Sequence, residues 1–92
     1  MKGGENIKME EKLIGKITHY FTNIGVAVLE ITDGKLSIGD KIHIKGVSSD
    51  FEQEIDSMQV EHENVKKAKK GDAIGLKVEQ QVKEGDDVYK VE

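Results

Sequence analysis

The sequence predicts an all-β protein, a closed six-stranded antiparallel Greek-key β-barrel carrying one short helical turn. Three observations predict it. Short runs rich in β-branched and aromatic residues follow one another closely, as strands of a barrel or sandwich do. Glycine-containing turn dipeptides separate them, and the pattern Gly-Asp-x-(Ile/Val) occurs three times, each time opening a strand. Closure is the expected architecture because a six-stranded sheet left open would expose two edges.

Residues 1–11 (MKGGENIKMEE) have no apolar period and read as a mobile tail, which leaves 12–92 as a single domain. Leu13 to Phe21 is the first strand and Gly25 to Thr32 the second, turning at Thr22-Asn23-Ile24. On strand parity Phe21 falls with Leu13 and Ile17 and is expected in the core, with Tyr20 at the surface. Asp33-Gly34 is a turn. After it Leu36 and Ile38 alternate with polar residues, and Lys41-Ile42-His43-Ile44-Lys45 alternates strictly, with the isoleucines inward and His43 outward. Phe51 to Val60 changes parity between Ile55 and Met58, which a β-bulge near Asp56-Ser57 would reconcile.

Glu61 to Lys70 is the helical candidate, because Val65 and Ala68 stand three apart with lysines around them. Ala73 to Glu79 returns to strand with Ile74, Leu76 and Val78 inward, and Asp87 to Val91 supplies the closing strand. In each Gly-Asp pair the glycine permits a positive φ, and the carboxylate is expected to accept a backbone N–H just beyond it.

Composition narrows the function. The chain has 92 residues, no cysteine, and 14 basic residues against 18 acidic ones, for a net charge of −4. Every basic residue is lysine, so the bidentate fork that favours specific nucleic-acid readout is missing. Without cysteine there is neither a disulfide nor a thiolate metal site. No apolar run approaches the roughly eighteen residues of a membrane span, and no signal-peptide core is present, so the expected location is the cytoplasm.

Catalytic patterns are absent. No phosphate-binding loop of the Gly-x-x-x-x-Gly-Lys-Ser/Thr type exists, so the chain alone is not expected to bind GTP. His19, His43 and His62 lack zinc-ligand spacing, and no serine or threonine sits in a nucleophile elbow. The sequence therefore predicts no enzyme, no metal and no cofactor. Its strongest charge feature is Lys66-Lys67-x-Lys69-Lys70, which reads either as a solvated face or as a cationic spot for RNA phosphate or an acidic protein surface. Tyr20 stands at the first corner, able to stack on a base.

Taken together, Gly25-Val26-Ala27-Val28, Asp33-Gly34-Lys35-Leu36, Ile38-Gly39-Asp40, Ile42-His43-Ile44, Ser57-Met58-Gln59, Val65, Ala68 and Gly71-Asp72-Ala73-Ile74-Gly75-Leu76 resemble domain two of elongation factor Tu and its relatives over about residues 12 to 91. Free-standing elongation-factor-like proteins and barrels attached to collagenase-like peptidase relatives look similar too. The resemblance implies a non-catalytic module of translation that touches tRNA or ribosomal RNA. It places Gln59 and His62 where the family has a Glu and an Arg at the terminal-adenosine pocket. The RNA-binding residues it suggests are Tyr20, Gln59, His62, Lys66, Lys67, Lys69 and Lys70. The alternative is a protein–protein adaptor that docks onto a partner enzyme.

Overall fold

The computed structural model describes residues 11–91, and these form antiparallel strands without a helix. In chain order they are β1 (Glu11–Phe21), β2 (Val26–Ile31), β3 (Lys35–Ser37), β4 (Lys41–Lys45), β5 (Asp50–Glu54), β6 (Met58–Val60), β7 (Glu63–Val65), β8 (Lys67–Lys69), β9 (Ala73–Lys77) and β10 (Asp87–Val91). The tail expected over 1–11 lies outside the described residues except for Glu11, which opens β1 opposite Val91.

Eight strands make one sheet in the order β5-β4-β10-β1-β2-β9-β6-β7, and β3 pairs with β8 in a separate ribbon. The expectation of a closed six-stranded barrel holds only in its coarser part. The protein is all-β and antiparallel, but neither sheet closes on itself. Closure of the main ladder fails where the chain leaves β5. The Ile55 N–H there donates to the Asp40 carbonyl (2.9 Å) and the Ile55 carbonyl accepts from Gly39 (2.8 Å), so its backbone is spent on the β3–β4 turn.

The core follows from period two. Ile42 and Ile44 of β4, Ile74 and Leu76 of β9, and Leu29 and Ile31 of β2 are buried, as is Val78 just past β9. Each such side chain contributes roughly 1.5–3 kcal/mol through burial. The ribbon belongs to the same core, since its inward residues Leu36 and Ala68 are buried within it.

Four local expectations are corrected. The helical candidate is instead β7 and β8 joined at Lys66, with Val65 half-buried and Ala68 buried. Three-residue strands are too short to show their period, and the spacing of Val65 and Ala68 reflects two strands rather than one helical face. The parity change near Asp56-Ser57 is no bulge but a change of strand, because β5 pairs with β4 whereas β6 pairs with β7 and β9. Ile38, which alternates in sequence with buried Leu36, does not share its burial and is exposed, since it sits in the turn after β3.

The fourth concerns β1. Its register shifts between Leu13 and Gly15 against β10, and again between Ile17 and His19 against β2. Each shift reverses parity, so Ile14 and Ile17 are buried, Tyr20 packs against the core, and Leu13 and Phe21 face outward. Gly15 makes the first shift possible, because a Cβ there would overlap the Glu30 carbonyl oxygen.

The three Gly-Asp pairs share one construction. Gly39, Gly71 and Gly85 have φ of 94°, 97° and 94°. The N–H of the following aspartate donates to the carbonyl three residues earlier, at Ser37, Lys69 and Lys83 (3.0, 2.9 and 3.1 Å). The same residues return the bond from their own N–H to the aspartate Oδ2 (2.8, 3.0 and 2.9 Å). The carboxylate thus reaches backward across the turn, not forward into the strand.

Candidate docking cleft

The outer face of β2 and β9 is unusually bare. Val26 and Val28 point outward from β2, opposite Lys77 and Gly75 of β9, while Ala73 and Gly75 offer little or no side chain. A Cβ placed on Gly75 would touch only Val26 Cγ1, at 3.8 Å, so the missing side chain leaves a depression. Phe21 and Ile24 stand on one side of it, and Gln59, Glu61 and His62 on the other, enclosing a cleft of about 420 Å³.

Local geometry raises both walls. At the β1–β2 corner, Ile24 and Gly25 both donate backbone N–H groups to the Phe21 carbonyl (3.3 and 2.9 Å), which turns the chain sharply and leaves Phe21 and Ile24 44% and 62% exposed. On the opposite wall, β6 and β7 are joined by the two residues Glu61 and His62, with φ of 52° and 68°. Two positive values in a two-residue hairpin loop are the type I′ arrangement, which Asn-Gly fills without cost. Glutamate and histidine fill it with strain of order 1–3 kcal/mol each. Gln59 is steadied by a bond from its Nε2 to Asn64 Oδ1 (3.1 Å) across the hairpin.

The structure therefore brings together Gln59 and His62 but not the other residues suggested from sequence. Tyr20 packs against the core and lines a separate shallow hollow with Phe21 to Ile24. Lys66, Lys67, Lys69 and Lys70 lie on and beside β8, and none lines the cleft. Phe21 is the residue that sequence parity missed, because two register shifts precede it. Ile24 was more legible: a large aliphatic residue at the apex of a polar corner has no core to enter.

A second cluster also escaped the sequence reading. His43 lies 14% exposed between Glu11, whose two carboxylate oxygens are 2.9 and 2.8 Å from Nδ1, and Asp50, which accepts from Nε2. With both ring nitrogens facing carboxylates the doubly protonated imidazolium is favoured. The hydrogen bond to Asp50 first, and Glu11 after it, raise the His43 pKa, while the same bond lowers that of Asp50. Glu11, His43 and Glu52 place one ligand atom each within 4.8 Å of the others, a set able to meet a divalent cation. Such an ion would have to displace the Nδ1 proton that Glu11 already satisfies, and Glu52 is shared with Lys41 at 3.8 Å. The geometry is that of an ionic clasp tying β1 to β4 and β5.

Nucleophilic chemistry has no assembled constellation among the described residues. His19 faces Glu84 at 3.4 Å, and its ring lies 4.5 Å from that of Phe21. The hydroxyls of Thr18, Thr32 and Ser49 donate to backbone carbonyls rather than to a histidine.

No family model matches the chain. An uncharacterized protease of Methanocaldococcus jannaschii is 37% identical over 87 residues, covering 94% of this chain and 21% of that protein. A collagenase of Porphyromonas gingivalis is 34% identical over 88 residues, covering 95% of this chain and 24% of the collagenase. The chain thus spans between a fifth and a quarter of the length of these relatives. Among solved structures, the C-terminal domain of a Geobacillus thermoleovorans protein assigned as a U32 peptidase superposes with a TM-score of 0.78, covering 84% of this chain and 96% of that one at 18% identity. A second structure of that domain gives 0.79.

These findings correct the resemblance to elongation factor Tu and the translational, RNA-contacting role it implied. The relatives are a protease and collagenases, and the fold is that of a peptidase's C-terminal domain. Most of the residues that carried the resemblance are turn glycines, turn aspartates and inward aliphatics. They report how the chain folds and say little about what it binds.

Proposed function

We propose that this chain is a non-catalytic accessory domain of the U32-peptidase type, which docks onto the larger body of such a protein through the cleft between Phe21, Ile24 and the β6–β7 turn. The observation that carries this reading is the cleft itself. It is an apolar, partly exposed depression rimmed by a strained polar turn, on a chain whose described residues hold no nucleophile–base pair. Concave apolar depressions with a few polar groups at the rim are common binding sites, and backbone strain is kept where geometry serves a function.

The occupant follows from length. Relatives named for proteolysis are four to five times longer than the region they share with this chain, which supports reading the unshared part of such a protein as the docking partner. The absence of cysteine fits action in the cytoplasm. In the docked state the module works as a barrel-like unit, with the ribbon of β3 and β8 covering one side of the core and the main sheet wrapping the rest.

The test uses the Methanocaldococcus relative with the matching region removed. The purified chain alone is expected to release no peptide from gelatin, yet to co-elute with the truncated relative in size-exclusion chromatography. Phe21→Glu or Ile24→Glu, both at exposed positions, should abolish co-elution and leave thermal melting unchanged. Gelatin cleavage by the chain alone, failure to co-elute, or a complex indifferent to both substitutions would overturn the proposal.

A further inference from the structure

We infer that the outer face of the β3–β8 ribbon is a docking surface for an acidic protein segment. The ribbon places Lys35 directly opposite Lys69, and Ser37 opposite Lys67, while Leu36 and Ala68 turn into the core. Residues in register across two strands share a face, so Lys35, Lys67 and Lys69 project together, and exposed Lys66 and Lys70 flank them.

Among the described residues no ion pair neutralises this group: the lysine ion pairs join Lys12 to Asp33, Lys41 to Glu52 and Lys90 to Asp40, and none includes a lysine of the ribbon or its flanks. Two turn carboxylates reach the ribbon backbone, Asp40 accepting from the Ser37 N–H at 2.8 Å and Asp72 from the Lys69 N–H at 3.0 Å, and neither forms an ion pair with a ribbon lysine. Lys90 lies beneath the ribbon with its Nζ 3.4 Å from the Lys35 carbonyl, but its charge is matched by Asp40 at 3.4 Å, which sets it apart from the exposed lysines. Like charges directly opposite each other on a sheet are unfavourable. Their concentration on a three-residue ribbon, in a chain of net charge −4, is a local inversion of the protein's field.

A protein segment fits this face better than a nucleic acid does. The chain has no arginine to grip phosphate in a fork. No aromatic stands on the ribbon for a base to stack against, since Phe51 is in the core, Tyr20 packs against it, Phe21 is on the cleft and Tyr89 lies beside His43. Lys67 and Lys69, two residues apart on one strand, stand roughly 6.6 Å from each other along it, the same repeat at which alternate residues of an extended acidic segment present their carboxylates.

The inference is independent of the cleft, because it is read on the chain alone. Fluorescence anisotropy with a labelled oligoglutamate peptide should show binding at about 10 mM salt that fades by about 150 mM, as the screening length falls from roughly 30 Å to roughly 8 Å. The double variant Lys67→Gln/Lys69→Gln should bind roughly two- to thirtyfold more weakly, the range that two exposed ion pairs supply. Lys41→Gln, on β4, should bind as the parent does. No binding at low salt, equal binding by the double variant with unchanged melting, or tighter binding of polyuridylate than of the peptide would overturn the inference.

Discussion

At His43 the alternation of the strand and the chemistry of the side chain pull apart. Period two places it on the outer face of β4, and it does lie on that face, yet Glu11, Asp50 and Tyr89 cover it until little of the imidazole is exposed. Sequence pattern gives direction along a strand. It does not give what other strands bring alongside, and Glu11 lies 32 positions away. The clasp has a pH signature. The folded pKa of His43 is raised above its ordinary 6.5, so the stability it adds is fully present below 6.5 and lost as pH rises through the folded value. Asp50 works in the opposite sense. Its folded pKa lies below the ordinary 3.8, so its share is present above 3.8 and lost as pH falls through the depressed value. Urea denaturation of the parent and of His43→Gln should therefore differ most between these two limits, with the gap narrowing toward alkaline pH. A gap that stays constant up to pH well above 6.5 would mean the imidazolium contributes nothing.

At the scale of elements, the long alternating runs were legible and the short ones were not. β4, β9 and β10 fall where their alternation puts them, because five residues of period two leave little ambiguity. The stretch Glu61 to Lys70, which holds β7 and β8, reads locally as a helix, since Lys and Ala favour helices and only pairing to β6 and β3 overrides that preference. The candidate cleft was half legible for the same reason: Gln59 and His62 were singled out, while Phe21 was hidden by bulges. The hairpin yields a prediction of its own. Replacing Glu61-His62 with Asn-Gly supplies the residues a type I′ turn prefers, which relieves strain of order 1–3 kcal/mol per residue and gives back part of it through the flexibility of glycine in the unfolded chain. A net gain of about 1 kcal/mol should appear as a melting temperature higher by roughly 4–8 °C. The proposed docking through the cleft should weaken in the same variant, because two rim side chains are gone. A lower melting temperature would show that the native turn stores no strain.

For the whole molecule, the question is what holds an open ladder around a single core. The answer lies in one side chain. Gln53 of β5 is buried to 6% exposure, yet its Nε2 donates to the Lys77 carbonyl (2.8 Å) and its Oε1 accepts from the Glu79 N–H (2.8 Å). Lys77 and Glu79 flank the end of β9, which lies five places from β5 in the order of the sheet. The amide thus stands in for a rung between strands that share no backbone pairing, and it satisfies two backbone groups that no strand reaches. Removing it leaves a part-buried donor and acceptor unpaired, at a cost of about 1–3 kcal/mol. Gln53→Leu keeps the volume and deletes both bonds. It should lower the melting temperature by roughly 4–24 °C at the 4–8 °C per kcal/mol expected of a domain this size. The amide proton of Glu79 should exchange faster, and Glu54→Gln, on the exposed face of the same strand, should change neither reading. If Gln53→Leu melts with the parent, the apolar core alone keeps β5 against β9, and the side-chain rung is incidental.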